Sequence, residues 1–300
     1  MSSSSNSSAS NRLIVCGLGY TGSAIDSAWR SAPERTTLAT VRSYEAATSM
    51  EEAGRIMVRA DFSMEGVPLL ADLEATAGVI TFGTSEQPAP DATVTRALAW
   101  LAAAGCETVV YLSSTSVYGN SDGGIVTELT EPAPASEMGR LRIATETAFR
   151  AVSERLGLRH SILRLPGIYG PDRTPRARLM SGAYRFPEGL RWSNRIYRDD
   201  VAQAVLHVIN GGHSGTFNVS DGAPFQANAF AHWCASELGV PTPAAVAFDE
   251  LTERAKPFWL ANRRVDNQKL RETGWSPMVP NYQEGHRLAW RTEDERMAVD

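Results

Sequence analysis

The 300-residue chain is long enough for one large α/β domain or two smaller ones, and its 43% apolar content is ample for a core. Its net charge of −5 argues against a nucleic-acid partner, and no apolar run is long enough to indicate a membrane partner. Cys16, Cys106 and Cys234 form no metal or redox motif, so we predict no metal site and a reduced, cytoplasmic setting.

The chain opens on a polar tail and then on a glycine turn. Residues 1–11 are mostly serine, asparagine and alanine and are predicted to be disordered. The apolar run Leu13–Cys16 predicts a buried strand, and Ser23–Trp29 can continue as a helix. Between them stands a G-x-G-x-x-G pattern. The candidate cofactor-binding residues of this turn are Gly17, Leu18, Gly19, Tyr20, Thr21 and Gly22.

A strand–turn–helix context of this kind is typical of a dinucleotide site. Gly17 would make the tight turn, Gly19 would let a pyrophosphate approach, and Gly22 would let the helix pack on the strand. The alternative is a tight turn without a ligand.

The second strand, Thr37–Val41, ends at Arg42. The NAD-type pattern has an acidic residue near this point that binds the ribose 2′-hydroxyl. An arginine suits a 2′-phosphate instead, so we predict NADP as cofactor, with NAD less favoured. The alternative is a solvated surface arginine.

Two further strands bring candidate cofactor contacts. Ile56–Val58 predicts a third strand, after which Asp61 either faces the adenine or caps the next turn. Gly78–Gly83 predicts a fourth strand, and Phe82 and Gly83 at its end are expected to lie against the cofactor. The polar, proline-rich segment Thr84–Pro90 predicts a loop.

The next helix and strand lead to a hydroxyl-rich segment. Asp91–Ala104 predicts a helix on which Trp100 falls outside the apolar stripe, so we expect it to be exposed at a partner surface or covered by a loop. Thr108–Leu112 predicts the fifth strand, and Ser113–Gly119 follows it directly. Substrate and nicotinamide would meet at such a strand end; the alternative is a polar turn.

With this segment included, the chain resembles the extended branch of the short-chain dehydrogenase/reductase superfamily, which includes epimerases and dehydratases of nucleotide sugars. The matching segments are Gly17–Gly22, Ser113–Gly119, Leu163–Pro171, Asn194–Ala202, Gly215–Asp221, Asn262–Val265 and Leu270–Trp275. The resemblance implies an α/β fold: a Rossmann-type doubly wound parallel sheet with a smaller C-terminal substrate-binding domain. It places the NAD(P)-binding domain at 12–170, completed by about 195–222, and the substrate-binding domain at 171–194 and 223–300.

The same resemblance shows a departure at the catalytic unit, which in this family is a serine with Tyr-x-x-x-Lys. Ser114 matches the serine, but Met138 stands at the tyrosine and Arg142 at the lysine. A thioether cannot transfer a proton, whereas Arg142 can still bind a ribose. The family pattern also assigns Pro166 to the cofactor. The chain therefore resembles an atypical member.

Other residues could supply the missing proton. Tyr118, Tyr169 and Tyr197 lie in matching segments, and Glu137 stands beside Met138. A nearby Arg142 could lower the pKa of a phenol, which makes Tyr118 a candidate catalytic residue with Ser114 and Arg142.

The second half is rich in arginine. These residues either bind a substrate phosphate or carboxylate or form a solvated basic loop; they are Arg173, Arg176, Arg178, Arg185, Arg191, Arg195 and Arg198. The charged residues after Thr292 are predicted to fray.

Together these features predict an NADP-preferring oxidoreductase or epimerase/dehydratase-like enzyme. Its substrate would be a small molecule, anionic or nucleotide-sugar-like, reacting at a carbonyl or hydroxyl. The alternative is a non-catalytic NADP(H)-binding sensor. The resemblance also implies a homodimer through the helices at 91–104 and 137–156.

Overall fold

A computed structural model describes residues 11–43, 45, 55–67, 73, 75–83, 90–253 and 256–298. Nearly all of the predicted N-terminal tail and of the predicted loop Thr84–Pro90 lies outside these residues. Among the residues described, no helix combines the length and the apolar character needed to cross a membrane.

Strands and helices alternate through the first half, as the sequence predicts. The strands are β1 (Arg12–Cys16), β2 (Thr36–Val41), β3 (Arg55–Arg59), β4 (Ala77–Ile80), β5 (Thr108–Ser114), β6 (Ile125–Val126), β7 (Arg159–Leu165), β8 (Gly167–Tyr169), β9 (Phe186–Pro187), β10 (Trp192–Ser193), β11 (Arg195–Tyr197), β12 (Gly215–Asn218), β13 (Phe225–Gln226), β14 (Ala245–Val246) and β15 (Arg264–Val265). The α-helices are α1 (Tyr20–Arg30), α2 (Pro90–Ala103), α3 (Glu137–Arg155), α4 (Arg176–Met180), α5 (Arg198–Asn210), α6 (Ala227–Leu238), α7 (Lys256–Trp259), α8 (Gln268–Arg271) and α9 (Tyr282–Met297). Short 3₁₀ turns cover Thr115–Tyr118 and Phe248–Glu250.

The central sheet has seven strands in the order β12-β7-β5-β4-β1-β2-β3. The pairs β1–β2, β1–β4, β2–β3 and β4–β5 are parallel. The order reverses between β1 and β4, and open sheets of this kind bind ligands at such a switch point. The predicted Rossmann-type α/β fold is confirmed.

The chain divides into two compact units. The first comprises Met1–Leu112, Ala144–Ile162 and Val205–Gly215; the second comprises Ser113–Ile143, Leu163–Ala204 and Thr216–Asp300. These units follow the packing of the backbone, and they assign Ser113–Ile143 differently from the family-based division. The family-based division stays a prediction.

Each unit has its own apolar core. The core of the first includes Ile14, Leu38, Ile80 and Leu98, none of them more than 1% exposed. Such complete burial is expected of parallel strands that helices cover on both faces. The core of the second is aromatic and includes Phe186, Phe230, Trp259, Tyr282 and Trp290.

Trp100 is 1% exposed, because its indole packs edge-on against Phe62 at 5.6 Å in the loop that follows β3. Of the two alternatives predicted for Trp100, cover by a loop is confirmed and exposure at a partner surface is not. Two local boundaries are wrong, each because of a tertiary contact. The fourth strand ends at Ile80, because the next residue, Thr81, turns its hydroxyl back to the carbonyl of Gly17.

The second concerns the C-terminal segment, which continues as helix α9 to Met297 instead of fraying after Thr292. Asp294 pairs with Arg176 at 2.6 Å, and Arg296 pairs with Asp172 at 3.0 Å. These ion pairs tie the last turns of the helix to the segment around α4.

Candidate functional site

The glycine turn between β1 and α1 has the backbone that the pattern requires. Gly17 has a φ of +101°, a conformation that side chains rarely adopt. A Cβ on Gly22 would lie 2.2 Å from the Gly17 carbonyl oxygen, so only glycine lets the helix pack this close to the turn. At Gly19 a Cβ would meet no atom within 4 Å. The middle glycine therefore borders open space.

Residues from neighbouring strands hold the turn in place. The backbone N–H of Gly17 donates to Thr40 Oγ1 at 3.1 Å, and that of Leu18 donates to the Thr40 carbonyl at 3.1 Å. Thr81 Oγ1 donates to the Gly17 carbonyl. Because β2 and β4 flank β1, both threonines reach the turn from the side. Their role is not visible in the glycine spacing.

The start of α1 suits an anion. Its N-cap is Gly19, which has no side chain to cap the first N–H groups, and the first turn holds no acidic residue. A helix N-terminus carries a partial positive charge that favours phosphate. The turn residues therefore fit a dinucleotide pyrophosphate, and Tyr20 and Thr21 form the helical edge of the cradle.

Two exposed arginines lie side by side where β2 and β3 end. Arg42 follows β2 directly, and Arg59 Nε donates to the Arg42 carbonyl at 3.2 Å. Asp61 accepts from the backbone N–H of Ser63 at 3.0 Å and from its hydroxyl at 2.6 Å. The Ser63 hydroxyl is the main cause that lowers the pKa of Asp61, with smaller contributions from Arg42 and Arg59. Asp61 thus caps the next turn, one of the two roles predicted for it.

The remaining predicted cofactor contacts occupy loops. Phe82 is half-buried, its ring 6.0 Å from that of Phe62, and Gly83 is exposed. Pro166 joins β7 to β8 and is half-buried.

Ser114 closes β5 and caps the following 3₁₀ turn. Its Oγ accepts from the backbone N–H of Ser116 at 3.1 Å. A hydroxyl that accepts here keeps its own proton to donate elsewhere. Ser114 is half-buried, so its hydroxyl suits the predicted role of orienting a substrate oxygen.

Tyr118, by contrast, lies in a buried hydrogen-bond network. Its hydroxyl donates to Asn218 Oδ1 at 2.7 Å and accepts from Arg164 Nη1 at 3.0 Å. The Asn218 amide donates to the Asp266 carbonyl at 2.9 Å. Burial raises the pKa of Tyr118, although Arg164 and Asn218 oppose the rise. The arginine that contacts the phenol is thus Arg164, not the predicted Arg142, and the phenol's proton is engaged within the network.

The other tyrosine candidates are also buried. Tyr169 stacks on His286 with ring centres 4.5 Å apart and donates to the Asn281 carbonyl at 3.3 Å. Burial is the main cause that raises its pKa. Tyr197 packs edge-on against Tyr169 at 5.4 Å. Their positions favour a packing role.

Helix α3 carries Met138 and Arg142, the two residues that the family resemblance aligns with its tyrosine and lysine. Met138 lies in its first turn and is 43% exposed, and Arg142 lies one turn later and is half-buried. Glu137 is exposed and accepts from Arg140 Nε at 2.8 Å. Met138 therefore presents an apolar, non-titrating side chain at this position, and its equivalence to the family's tyrosine stays a prediction.

The arginine-rich segment of the second half is partly explained by internal contacts. Arg176 pairs with Asp294 at 2.6 Å, and Arg198 pairs with Asp199 at 3.0 Å. Arg195 lies over the rings of Phe225 and Phe230 at 5.8 and 5.5 Å. These contacts favour structural roles for the three arginines.

Comparison with known proteins places this arrangement in a family. Residues 13–220 match the model of the NAD dependent epimerase/dehydratase family. The chain belongs to that family, which confirms its resemblance to the extended branch.

Individual relatives are distant. Protein YeeZ of Escherichia coli K12 is 33% identical over 138 residues, 45% of this chain and 47% of YeeZ, so the match spans about half of that relative. A UDP-glucose 4-epimerase of Halalkalibacterium halodurans is 23% identical over 216 residues, 62% of this chain and 63% of that protein.

Solved structures match over most of the chain. A conserved protein of unknown function from Silicibacter pomeroyi DSS has a TM-score of 0.80 and 29% identity, covering 94% of this chain and 99% of that one. MoeE5 in complex with UDP-glucuronic acid and NAD has a TM-score of 0.74 and 20% identity, covering 94% and 99%. At that identity the likeness shows the fold alone.

Proposed function

We propose that this protein is an NADP(H)-preferring enzyme that acts on a carbonyl or hydroxyl of a small, anionic or nucleotide-sugar-like substrate. The observation that carries the proposal is the open glycine turn: Gly19 borders free space beside an uncapped helix N-terminus. Packing also requires the two outer glycines, because a Cβ would lie 2.8 Å from Thr81 Oγ1 at Gly17 and 2.2 Å from the Gly17 carbonyl oxygen at Gly22.

The preference for NADP(H) depends on the cations at the ends of β2 and β3. Arg42 and its neighbour Arg59 are both exposed, and an arginine fork suits a 2′-phosphate. The structural neighbour MoeE5 holds NAD, so this preference would distinguish the chain from that neighbour.

In the proposed reaction the nicotinamide supplies hydride transfer when bound. Ser114 would orient a substrate oxygen by donating a hydrogen bond to it, and Arg142 would bind the ribose. Because Met138 cannot transfer a proton, the proton would come from water or another side chain. General acid–base catalysis contributes about 10²–10⁴-fold, so we expect turnover to be slow.

A turnover assay tests the proposal. The enzyme with NADP⁺ or NADPH would be offered UDP-sugars, UDP-glucuronic acid among them, and small carbonyl compounds, and the nicotinamide absorbance and the sugar products would be followed. We expect turnover of at least one compound, and a loss of about tenfold or more in Ser114→Ala with unchanged NADPH affinity. Full turnover in Ser114→Ala would contradict the assigned role.

A second candidate is a sensor that binds NADP(H) without turning it over. Met138 at the family's acid position favours it. Tight NADPH binding without turnover of any compound in the same assay would support the sensor over the enzyme.

A further inference from the structure

Arg263 is a buried cation with no acidic partner among the described residues. It is 6% exposed and lies just before β15. Its Nη1 donates to the carbonyl oxygens of Gly119 and Ala261, and its Nη2 donates to Thr115 Oγ1 at 3.3 Å. All three acceptors are neutral. Removing a cation from water costs several kcal/mol unless an anion or a full set of hydrogen bonds compensates.

The hydrogen bonds of Arg263 are incomplete. A guanidinium has five N–H donors, and the three bonds above leave Nε–H and one Nη2–H. The Nε atom is buried and has no hydrogen-bond partner within the part of the chain that the structure describes. Burial lowers the pKa of Arg263 to about 10, which still leaves the guanidinium charged at neutral pH.

Arg263 lines a pocket within the second unit. Arg263 shares this lining with Ser116 and Ser136, and the other walls include Gly119, Ala135 and Ala261. None of these walls is acidic. The Ser136 hydroxyl accepts from the backbone N–H of Gly139 at 3.2 Å in the first turn of α3, and it keeps its own proton to donate. The nearby Glu137 side chain is 70% exposed and paired with Arg140.

We propose that this pocket binds an oxyanion, a carboxylate or a phosphate, carried by the substrate. Two free donors on one guanidinium suit the two oxygens of such a group, and the serine hydroxyls can donate to the same oxygens. Attribution of the anion to the substrate depends on the proposed function, whereas the pocket's affinity for an oxyanion does not.

Titration with inorganic phosphate and with malonate, at constant ionic strength and without nucleotide, tests the pocket. Calorimetry and thermal unfolding would follow binding in the wild type and in Arg263→Lys, which keeps the charge and loses the fork. We expect saturable binding that Arg263→Lys weakens about tenfold or more. The tighter of the two probes identifies the anion class. Equal affinity in Arg263→Lys, or no binding of either probe to the wild type, would overturn the proposal.

A second variant protects the test against misfolding. Ala135 is exposed, so Ala135→Leu should fill the pocket without disturbing the bonds of Arg263. We expect it to lose oxyanion binding and keep its unfolding temperature, and retained binding would overturn the proposal. Arg287→Gln is the matched control, because Arg287 is an exposed arginine paired with Glu237 at 2.7 Å.

Phosphate could also bind the glycine turn, so Gly19→Ala completes the set. We expect Gly19→Ala to keep oxyanion binding, and binding lost only there would assign the ion to the turn and overturn the proposal. NADPH titration of the same variants separates the two hypotheses. If the oxyanion and the nucleotide bind at separate sites, Arg263→Lys should lose oxyanion binding and keep NADPH binding.

Discussion

The glycine turn and the segment after β5 both match the family pattern, but they differ in whether their polar groups are available to hydrogen-bond a ligand. At the turn, Gly19 borders open space and the helix N-terminus is uncapped. After β5, the hydroxyl of Tyr118 is engaged with Asn218 and Arg164. A motif match thus locates a residue, and the tertiary contacts decide whether its polar atoms remain available to a ligand.

The largest effect is expected at the turn, where two glycine variants separate fold from binding. Gly22→Ala places a Cβ 2.2 Å from the Gly17 carbonyl oxygen, so it should cost about 1–3 kcal/mol of unfolding free energy as well as NADPH binding. Gly19→Ala points into open space and should weaken NADPH binding about tenfold or more at unchanged stability. Urea unfolding and NADPH titration measure both. Unchanged NADPH affinity in Gly19→Ala would mean that the turn does not bind the pyrophosphate.

Arg42→Glu sharpens the identity of the cofactor. The charge reversal should weaken NADPH binding about tenfold or more and affect NADH binding much less, because only NADPH carries the 2′-phosphate. Arg287→Gln is the control, because it removes an exposed arginine whose side chain is already paired with Glu237 at 2.7 Å. Equal losses for the two cofactors would remove Arg42 from the 2′-phosphate site.

Tyr118→Phe tests the contrast at the buried network. Without the hydroxyl, Asn218 Oδ1 and Arg164 Nη1 each lose a hydrogen-bond partner. This loss should lower the unfolding free energy by about 1–3 kcal/mol. Turnover per folded molecule should change little. Loss of turnover at unchanged stability would restore Tyr118 as the proton donor.

The smallest effect concerns pH. Burial raises the pKa of Asp221 to about 7 from an ordinary value of 3.8, although the Ala223 N–H at 2.9 Å opposes the rise. The folded state therefore holds this proton longer than the unfolded state, and its contribution to stability falls as pH rises from about 4 to 7. Asp221→Asn keeps an acceptor for Ala223 but cannot ionise, so the wild type should lose unfolding free energy relative to Asp221→Asn as pH rises through that range. A pH-independent difference in urea unfolding would contradict this.

The first unit was the more predictable part of the chain. Buried parallel strands are short apolar runs, so β1, β2 and β5 are visible in the sequence, and the glycine spacing locates the ligand turn. Arg42 is also visible in the sequence, because it directly follows the second strand, where the dinucleotide pattern has the residue that contacts the ribose. For Trp100 the sequence left two alternatives open, because its burial depends on Phe62 from a distant segment.

The hydrogen-bond partners in the second unit could not be predicted, because they join residues that are far apart in the sequence. Asn218 reaches Tyr118 across 100 residues, and Arg263 reaches Gly119 across 144. No local pattern records such pairings. The excess of arginine is visible in the sequence. Which arginines form ion pairs is not, because Arg176 meets its acidic partner Asp294 only in the folded chain, whereas Arg263 is buried among neutral acceptors.

Calorimetric titration of the dialysed wild-type protein with NADPH and with NADH tests the central claim most directly. The open turn and Arg42 together predict saturable binding of one nucleotide per chain, with NADPH tighter by about tenfold or more. Binding of neither nucleotide would remove the premise shared by the enzyme and the sensor. Tighter binding of NADH would contradict the role given to Arg42 and leave an NAD site in its place.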